Sequence, residues 1–369
     1  MKVNLNITPL EQWLPNLNGP LVIAGPCSAE TEEQVLTAAR GLAEIKQVKL
    51  FRSGIWKPRT RPNSFEGIGE EGLLWLKKVK EETGLLTTTE VANAAHVELC
   101  LKHGVDVLWI GARTTVNPFS VQEIADVLKG VDIPVFIKNP LNPDLQLWVG
   151  ALERLNQAGI TKIGAIHRGF STFKKTKYRN APNWNLAIEL KRLIPELPMI
   201  CDPSHISGNR DLIFSVSQKA LDLEMNGLII ESHPDPDKAW SDAAQQVTPK
   251  RLKNILSRLV VRHEKSDSPE METVLAKLRG KIDGLDNELL EILSSRMKIV
   301  QQIGEYKKDN QVTILQINRW DQIVNNRVAI GSKYSLREDF IRDIFDAIHT
   351  ASIKEQTRIM NESVSETQS

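Results

Sequence analysis

The chain has 369 residues, 41% hydrophobic and 25% charged, a balance that excludes collagen-like, disordered and membrane-embedded classes. Lys+Arg 47 against Asp+Glu 46 leaves a net charge of +1, so no basic field is on offer to a nucleic acid. Three cysteines (Cys27, Cys100, Cys201) cannot build a disulfide framework, and without a charged leader or a long apolar run the protein is expected to be cytoplasmic, with no membrane partner.

The first apolar run is LVIAG at 21–25, followed by VKLFR (48–52), LTTTE (86–90) and VLWIG (107–111). Then come PVFIK (134–138), KIGAI (162–166), PMICD (198–202) and GLIIE (227–231). Amphipathic stretches of about ten to twenty residues separate them, as expected of strands alternating with helices. Eight buried strands over roughly 250 residues predict an α/β fold, a (β/α)8 TIM barrel. The rival is an open doubly wound sheet, but GPCSAE after the first strand lacks the glycines of a dinucleotide turn.

Near residue 260 the pattern changes. The polar stretch HEKSDSPEM (263–271) reads as a linker. The expected division is a barrel over 1–258, a linker over 259–270, an all-helical domain over 271–360 and a disordered tail over 361–369. A single helical pattern runs from Met271 to about Asn310, nearly 60 Å long at ~1.5 Å per residue. Two shorter helices follow, over 316–331 and 336–360. So long a helix with two short partners cannot bury its own face, so the domain is expected to pair with a second copy, as a homodimer or higher, with the barrel a second candidate contact.

Barrel enzymes work at the C-terminal ends of their strands, and every strand here ends near an ionisable or reactive residue. In order these are Cys27, Arg52 with Lys57, Glu90, Arg113, Lys138, His167 with Arg168, Asp202 with His205, and Glu231 with His233. Cys27, His205, Glu231 and Asp242 combine a thiol, an imidazole and two carboxylates, a mixture that suits Mn, Fe, Co or Zn better than Mg. The plainer reading makes Cys27 a small buried residue and His205 a loop histidine. Arg52, Lys57, Arg59, Arg113, Lys138 and Arg168 form a cationic set, suited to a small polyanion with phosphate and carboxylate groups.

AGPCSAE (24–30), the Lys57-Pro58-Arg59-Thr60 loop with SFEG (64–67), IGAR (110–113), CDPSHISG (201–208) and ESHPDPDKAWSD (231–242) resemble the short, metal-dependent 3-deoxy-D-arabino-heptulosonate 7-phosphate (DAHP) synthases over residues 15–255. The Lys-Pro-Arg-Thr loop argues against the sister 3-deoxy-octulosonate 8-phosphate synthases. The resemblance implies condensation of phosphoenolpyruvate with erythrose 4-phosphate. It implies a divalent metal on Cys27, His205, Glu231 and Asp242, with Mn²⁺ the natural choice in vitro. Arg113, Lys138 and Arg168 would hold the phosphoenolpyruvate phosphate, Arg52 and Lys57 its carboxylate side, and Arg59 and Thr60 the other phosphate. Glu90 or Lys57 would manage protons.

Along the long helix, Leu278, Ile282, Leu285, Leu289, Ile292, Arg296, Ile299, Ile303 and Tyr306 form a heptad-type seam. A guanidinium buried at Arg296 calls for an anionic partner, either a structural glutamate or a ligand. Arg296 and Lys307 lie on one face, about 16 Å apart, whereas Arg279 is roughly 25 Å from Arg296 and ~100° round the helix. Arg279 therefore serves the same ligand only from another subunit. With Gln316, Arg319, Ser352 and Gln356, this set resembles the all-helical chorismate mutases over residues 271–358. The resemblance implies rearrangement of chorismate to prephenate without metal or nucleophile. Arg279, Arg296 and Arg319 would clamp carboxylates, and Lys307 and Gln356 would donate to the ether oxygen. Trp320 stands where a glutamate is common, which leaves a second reading: a catalytically dead helical sensor and dimerisation module. The fusion itself implies feedback inhibition of the barrel by chorismate or prephenate.

Overall fold

The structure, a computed structural model, describes residues 3–14, 17, 19–57, 65–173, 176–262, 269–314 and 317–361. The chain divides into two compact units, Met1–Glu264 and Lys265–Ser369.

The first unit is a closed barrel of eight parallel strands in sequential order. They are β1 (Leu21–Gly25), β2 (Val48–Arg52), β3 (Leu86–Val91), β4 (Val107–Ile110), β5 (Val135–Lys138), β6 (Ile163–His167), β7 (Met199–Cys201) and β8 (Gly227–Glu231), with β8 pairing back onto β1. Among the described residues, eleven α-helices accompany them in chain order: α1 (Leu10–Trp13), α2 (Glu32–Ala43), α3 (Glu71–Thr83), α4 (Ala94–Lys102), α5 (Ala112–Thr115), α6 (Pro118–Val127), α7 (Leu145–Gln157), α8 (Trp184–Leu193), α9 (Pro203–Ser207), α10 (Ile213–Asp222) and α11 (Pro249–Arg258). Side chains alternate along each strand, so two cores form. The outward set, with Leu108, Ile137 and Ile230, packs under the helices. The inward set fills the barrel with Ile23, Leu50, Trp109, Phe136, Ile166, Ile200 and Ile229. Leu10, Trp13 and Leu14 join that inner core, with the Trp13 ring 5.3 Å from Phe136. Gly164 makes room for Phe136, since a Cβ there would meet the ring at 2.5 Å.

The second unit comprises α12 (Pro269–Asp309), α13 (Ile317–Lys333) and α14 (Glu338–Asn361). α12 meets α14 through Arg296, Gln301 and Gly304, and of these only Arg296 belongs to the heptad seam. Arg296 Nη1 donates to Ser352 Oγ at 2.7 Å and Gln301 Nε2 to Glu355 Oε1 at 2.8 Å. A Cβ on Gly304 would come within 3.0 Å of Ile359 Cδ1, so glycine permits the close crossing. The expected seam is exposed within the chain: Leu285 is 64%, Leu289 52% and Ile292 64% accessible. Most of the proposed linker, and the tail from residue 362, lie outside the described residues.

Candidate active sites in the barrel and the helical unit

The alternation that builds the inner core also selects what reaches the barrel mouth. Arg52, Lys138 and Glu231 follow the inward-facing Leu50, Phe136 and Ile229 by two, and Glu90 follows Leu86 by four, so all face inward themselves. Arg52, Lys138, Arg168, Asp202 and Glu231 are all buried. His167, next to Arg168, points the other way, among the rings of Trp148, Phe170 and Trp184.

Cys27, Glu231 and Asp242 bring one ligand atom each to within 4.8 Å of one another. Their donor chemistry fits a divalent transition ion. Glu231 Oε1 is buried and accepts no hydrogen bond among the described residues, an orphaned acceptor of the kind a cation satisfies. His205, expected beside them, stands just outside this group. Its Nε2 is 3.8 Å from Glu231 Oε1, too long for a hydrogen bond and suited to two ligands sharing one ion. Its Nδ1 lies 2.8 Å from Asp202 Oδ2, the outer contact that orients a ligating imidazole.

Residues that the sequence left unassigned support this group. Gln245 Nε2 donates to Glu231 Oε2 at 2.7 Å, and Gln246 Oε1 accepts from the Cys27 amide at 3.0 Å. Arg179 Nη1 bridges Asp242 Oδ1 and Gln245 Oε1 at 2.8 and 2.7 Å. Lys57 Nζ contacts Cys27 Sγ at 2.9 Å. Burial, then the Glu231 carboxylate, pushes the Cys27 thiol up to about 12. Burial alone would lower Lys57, but Cys27 and Glu231 beside it hold its ammonium above the usual value. Against the cost of burial, His205, Arg179 and Lys57 hold the Asp242 carboxyl well below the usual carboxylate range.

The cationic set converges on the same mouth. Arg52 Nη2 donates to the Cys27 carbonyl at 3.2 Å and lies 3.4 Å from Glu231 Oε1. Its Nε and Nη1 are buried with no hydrogen-bond acceptor among the described residues, which leaves two preset donors for an anion. Lys138 Nζ donates to Asp202 Oδ2 at 3.0 Å. Arg168 is held twice: Asn139 Oδ1 accepts from its amide at 2.7 Å, and Asn180 Oδ1 from its Nη1 at 2.8 Å. Burial draws the Arg168 guanidinium down to about 10, so it stays charged near neutrality. Glu90 Oε2 accepts from Trp109 Nε1 at 2.9 Å. Arg113 sits on α5 directly after β4. Arg59 and Thr60 lie outside the described residues.

In the helical unit, Arg296 and Ser352 meet between α12 and α14, with Gln356 one turn further along α14 beside Gly304. Ser352 and Gln356 are buried, and Gln356 Oε1 has no partner among the described residues. The partner of Arg296 is thus a neutral hydroxyl where an anion was expected; among the described residues no carboxylate comes within ion-pair distance. Lys307 Nζ donates to the Ile314 carbonyl at 2.8 Å, on the rim of a cavity of about 360 Å³ lined by Ile299, Ile303, Tyr306 and Val312. Arg279 is exposed on the N-terminal half of α12. Trp320 stacks on His349 with centroids 3.8 Å apart. Gln316 and the side chain of Arg319 lie outside the described residues.

Comparison with known proteins agrees with both halves. Residues 16–265 match the DAHP synthetase I family, and residues 278–357 match chorismate mutase type II. Phospho-2-dehydro-3-deoxyheptonate aldolase of Thermotoga maritima is 33% identical over 238 residues, 64% of this chain and 68% of that protein. A 2-dehydro-3-deoxyphosphooctonate aldolase of Syntrophotalea carbinolica is 26% identical over 262 residues, 65% of this chain and 89% of its own length. The crystal structure of the Thermotoga maritima phospho-2-dehydro-3-deoxyheptonate aldolase aligns with a TM-score of 0.61 at 30% identity, over 74% of each chain. The chain belongs to the DAHP synthetase I family and carries a type II chorismate mutase domain behind its barrel, which makes it a bifunctional enzyme of the shikimate pathway.

Proposed function

We propose that the barrel condenses phosphoenolpyruvate with erythrose 4-phosphate in a metal-dependent reaction, and that the helical unit converts chorismate to prephenate and returns a feedback signal. The observation that carries the barrel reading is one juxtaposition. The Cys27, Glu231 and Asp242 group shares a mouth with a fully buried guanidinium, Arg52, that keeps two donors unused.

Cys27, His205, Glu231 and Asp242 would hold the metal, with manganese, iron, cobalt and zinc all compatible with these donors. A divalent ion bound there supplies Lewis-acid polarisation of an aldehyde oxygen. Arg52 and Lys57 take the carboxylate side of phosphoenolpyruvate; Arg113, Lys138 and Arg168 take its phosphate; Arg59 and Thr60 take the phosphate of the sugar. C3 of phosphoenolpyruvate bonds to the aldehyde carbon, and the aldehyde oxygen takes up a proton. Lys57, held charged, is the donor in reach of that site. Water adds at C2, giving its proton towards Glu90, and the C2–oxygen bond to phosphate breaks. Walls of buried side chains keep bulk water from competing.

In the helical unit no group has to change its bonding. Arg296, Arg319 and the partner copy's equivalent of Arg279 fix the two carboxylates of chorismate. Lys307 and Gln356 donate to the ether oxygen as its bond to carbon lengthens, and Gln316 and Ser352 line the remaining polar edge. The exposed α12 seam is what a second copy would cover, so we take the working form to be at least a dimer.

The test uses the full chain with Mn²⁺ added. Phosphoenolpyruvate consumption is expected only with erythrose 4-phosphate present. It should disappear after chelation, and Cys27→Ala should lower it at least 100-fold. Full activity in chelator would remove the metal from this reading.

A further inference from the structure

Trp109 is an unusual floor for a pocket of charges. It projects into the barrel from β4, is 1% exposed, and pairs in register with Glu90 on β3. Three ionisable groups converge on its indole. The Arg52 guanidinium carbon is 5.0 Å from the ring centroid, Lys138 Nζ is 5.5 Å from it, and Nε1 donates to Glu90 Oε2 at 2.9 Å. Both cations fall inside the range where a ring quadrupole attracts positive charge, and in a water-poor site the attraction is strengthened.

The arrangement has an order that a simple core tryptophan would not need. Glu231 flanks Arg52 at 3.4 Å and Asp202 flanks Lys138 at 3.0 Å, with the indole as their common neighbour. Two buried like charges are thus held around one neutral ring, each tethered to a carboxylate. Glu90 is also wedged against Gly111. A Cβ at Gly111 would fall 2.2 Å from its Oε1, so only a glycine there leaves the carboxylate where the indole N–H holds it.

We infer that Trp109 is a positioning residue of the barrel reaction: its ring fixes the spacing of Arg52 and Lys138 for one polyanionic substrate, and its N–H fixes the direction of Glu90. The inference rests on the phosphoenolpyruvate reaction proposed above. The two functions of the indole separate by substitution. Trp109→Phe keeps a ring face and loses the N–H; Trp109→Leu loses both.

The experiment pairs steady-state kinetics with calorimetric titration of phosphoenolpyruvate into Mn²⁺-loaded full-length protein. For Trp109→Phe, kcat should fall about tenfold while the phosphoenolpyruvate Kd stays within about twofold of wild type, at full binding stoichiometry. For Trp109→Leu, Kd should rise about tenfold as well, again at full stoichiometry. A merely structural role would lower the stoichiometry and leave the affinity of the remaining sites alone, which overturns the inference. So does wild-type kcat in Trp109→Phe, or wild-type Kd in Trp109→Leu. Should the leucine variant fail to fold, as its melting curve would reveal, the phenylalanine variant decides alone. Wild-type protein that forms no product from the two substrates would instead overturn the reaction itself.

Discussion

His167 and Arg168 are neighbours at the end of β6 and meet opposite environments, because successive residues of a strand face opposite sides of the sheet. Arg168 enters the mouth, whereas His167 is sealed between the sheet and the rings of Trp148, Phe170 and Trp184. Burial, the largest influence, drives its pKa down to about 3. The unfolded chain takes up that proton near pH 6.5 and the folded barrel only near 3. The stability is therefore fully present above pH 6.5 and is lost as pH falls towards 3, by about 1.4 kcal/mol per pH unit within that window. Denaturant melts of the barrel at pH 7 and pH 5 should show about 2 kcal/mol more loss in wild type than in His167→Phe. Equal losses would remove His167 as the cause.

Elements differ in how much of them can be read from sequence. The eight strands fall within a residue or two of the apolar runs, because a strand buried on both faces needs such a run and a charged residue ends it. Cys27 and Glu231 were legible for the same reason, as reactive residues placed near where strands stop, whereas Asp242, eleven residues past β8, was legible only by its donor chemistry and the motif that carries it. Trp109 was not, since inside VLWI it reads as one more apolar side chain. Arg179 and Asn180 were hidden in a polar loop, where nothing marks the one guanidinium that folds back onto Asp242. The α12 seam was legible as a pattern, and with Leu285, Leu289 and Ile292 exposed its proposed cover is a second copy. Aspartate at Leu285 and Leu289 should therefore separate the copies, read by light scattering, and lower the mutase rate at least 100-fold as Arg279 is lost from the pocket. An intact dimer with full mutase rate would contradict the arrangement.

At the scale of the whole molecule, the two reactions stand at distant steps of one pathway, and feedback is a coupling free energy between their sites. Titrating prephenate into the synthase assay should lower its rate. Reciprocity then requires phosphoenolpyruvate to weaken prephenate binding by the same factor, which calorimetry reads directly. Synthase rates indifferent to prephenate would leave the fusion without a regulatory role.

The uncovered seam of α12 carries one more consequence. The barrel closes its own core within one chain, whereas the helical unit leaves one face of α12 uncovered, the half-contact that the proposed dimer would complete. Where that pairing supplies Arg279 to the mutase site, as proposed above, the second activity is a property of a solution, set by mass action. Dilution below the dissociation constant of that dimer would then switch off the mutase, a catalyst that two copies hold in common.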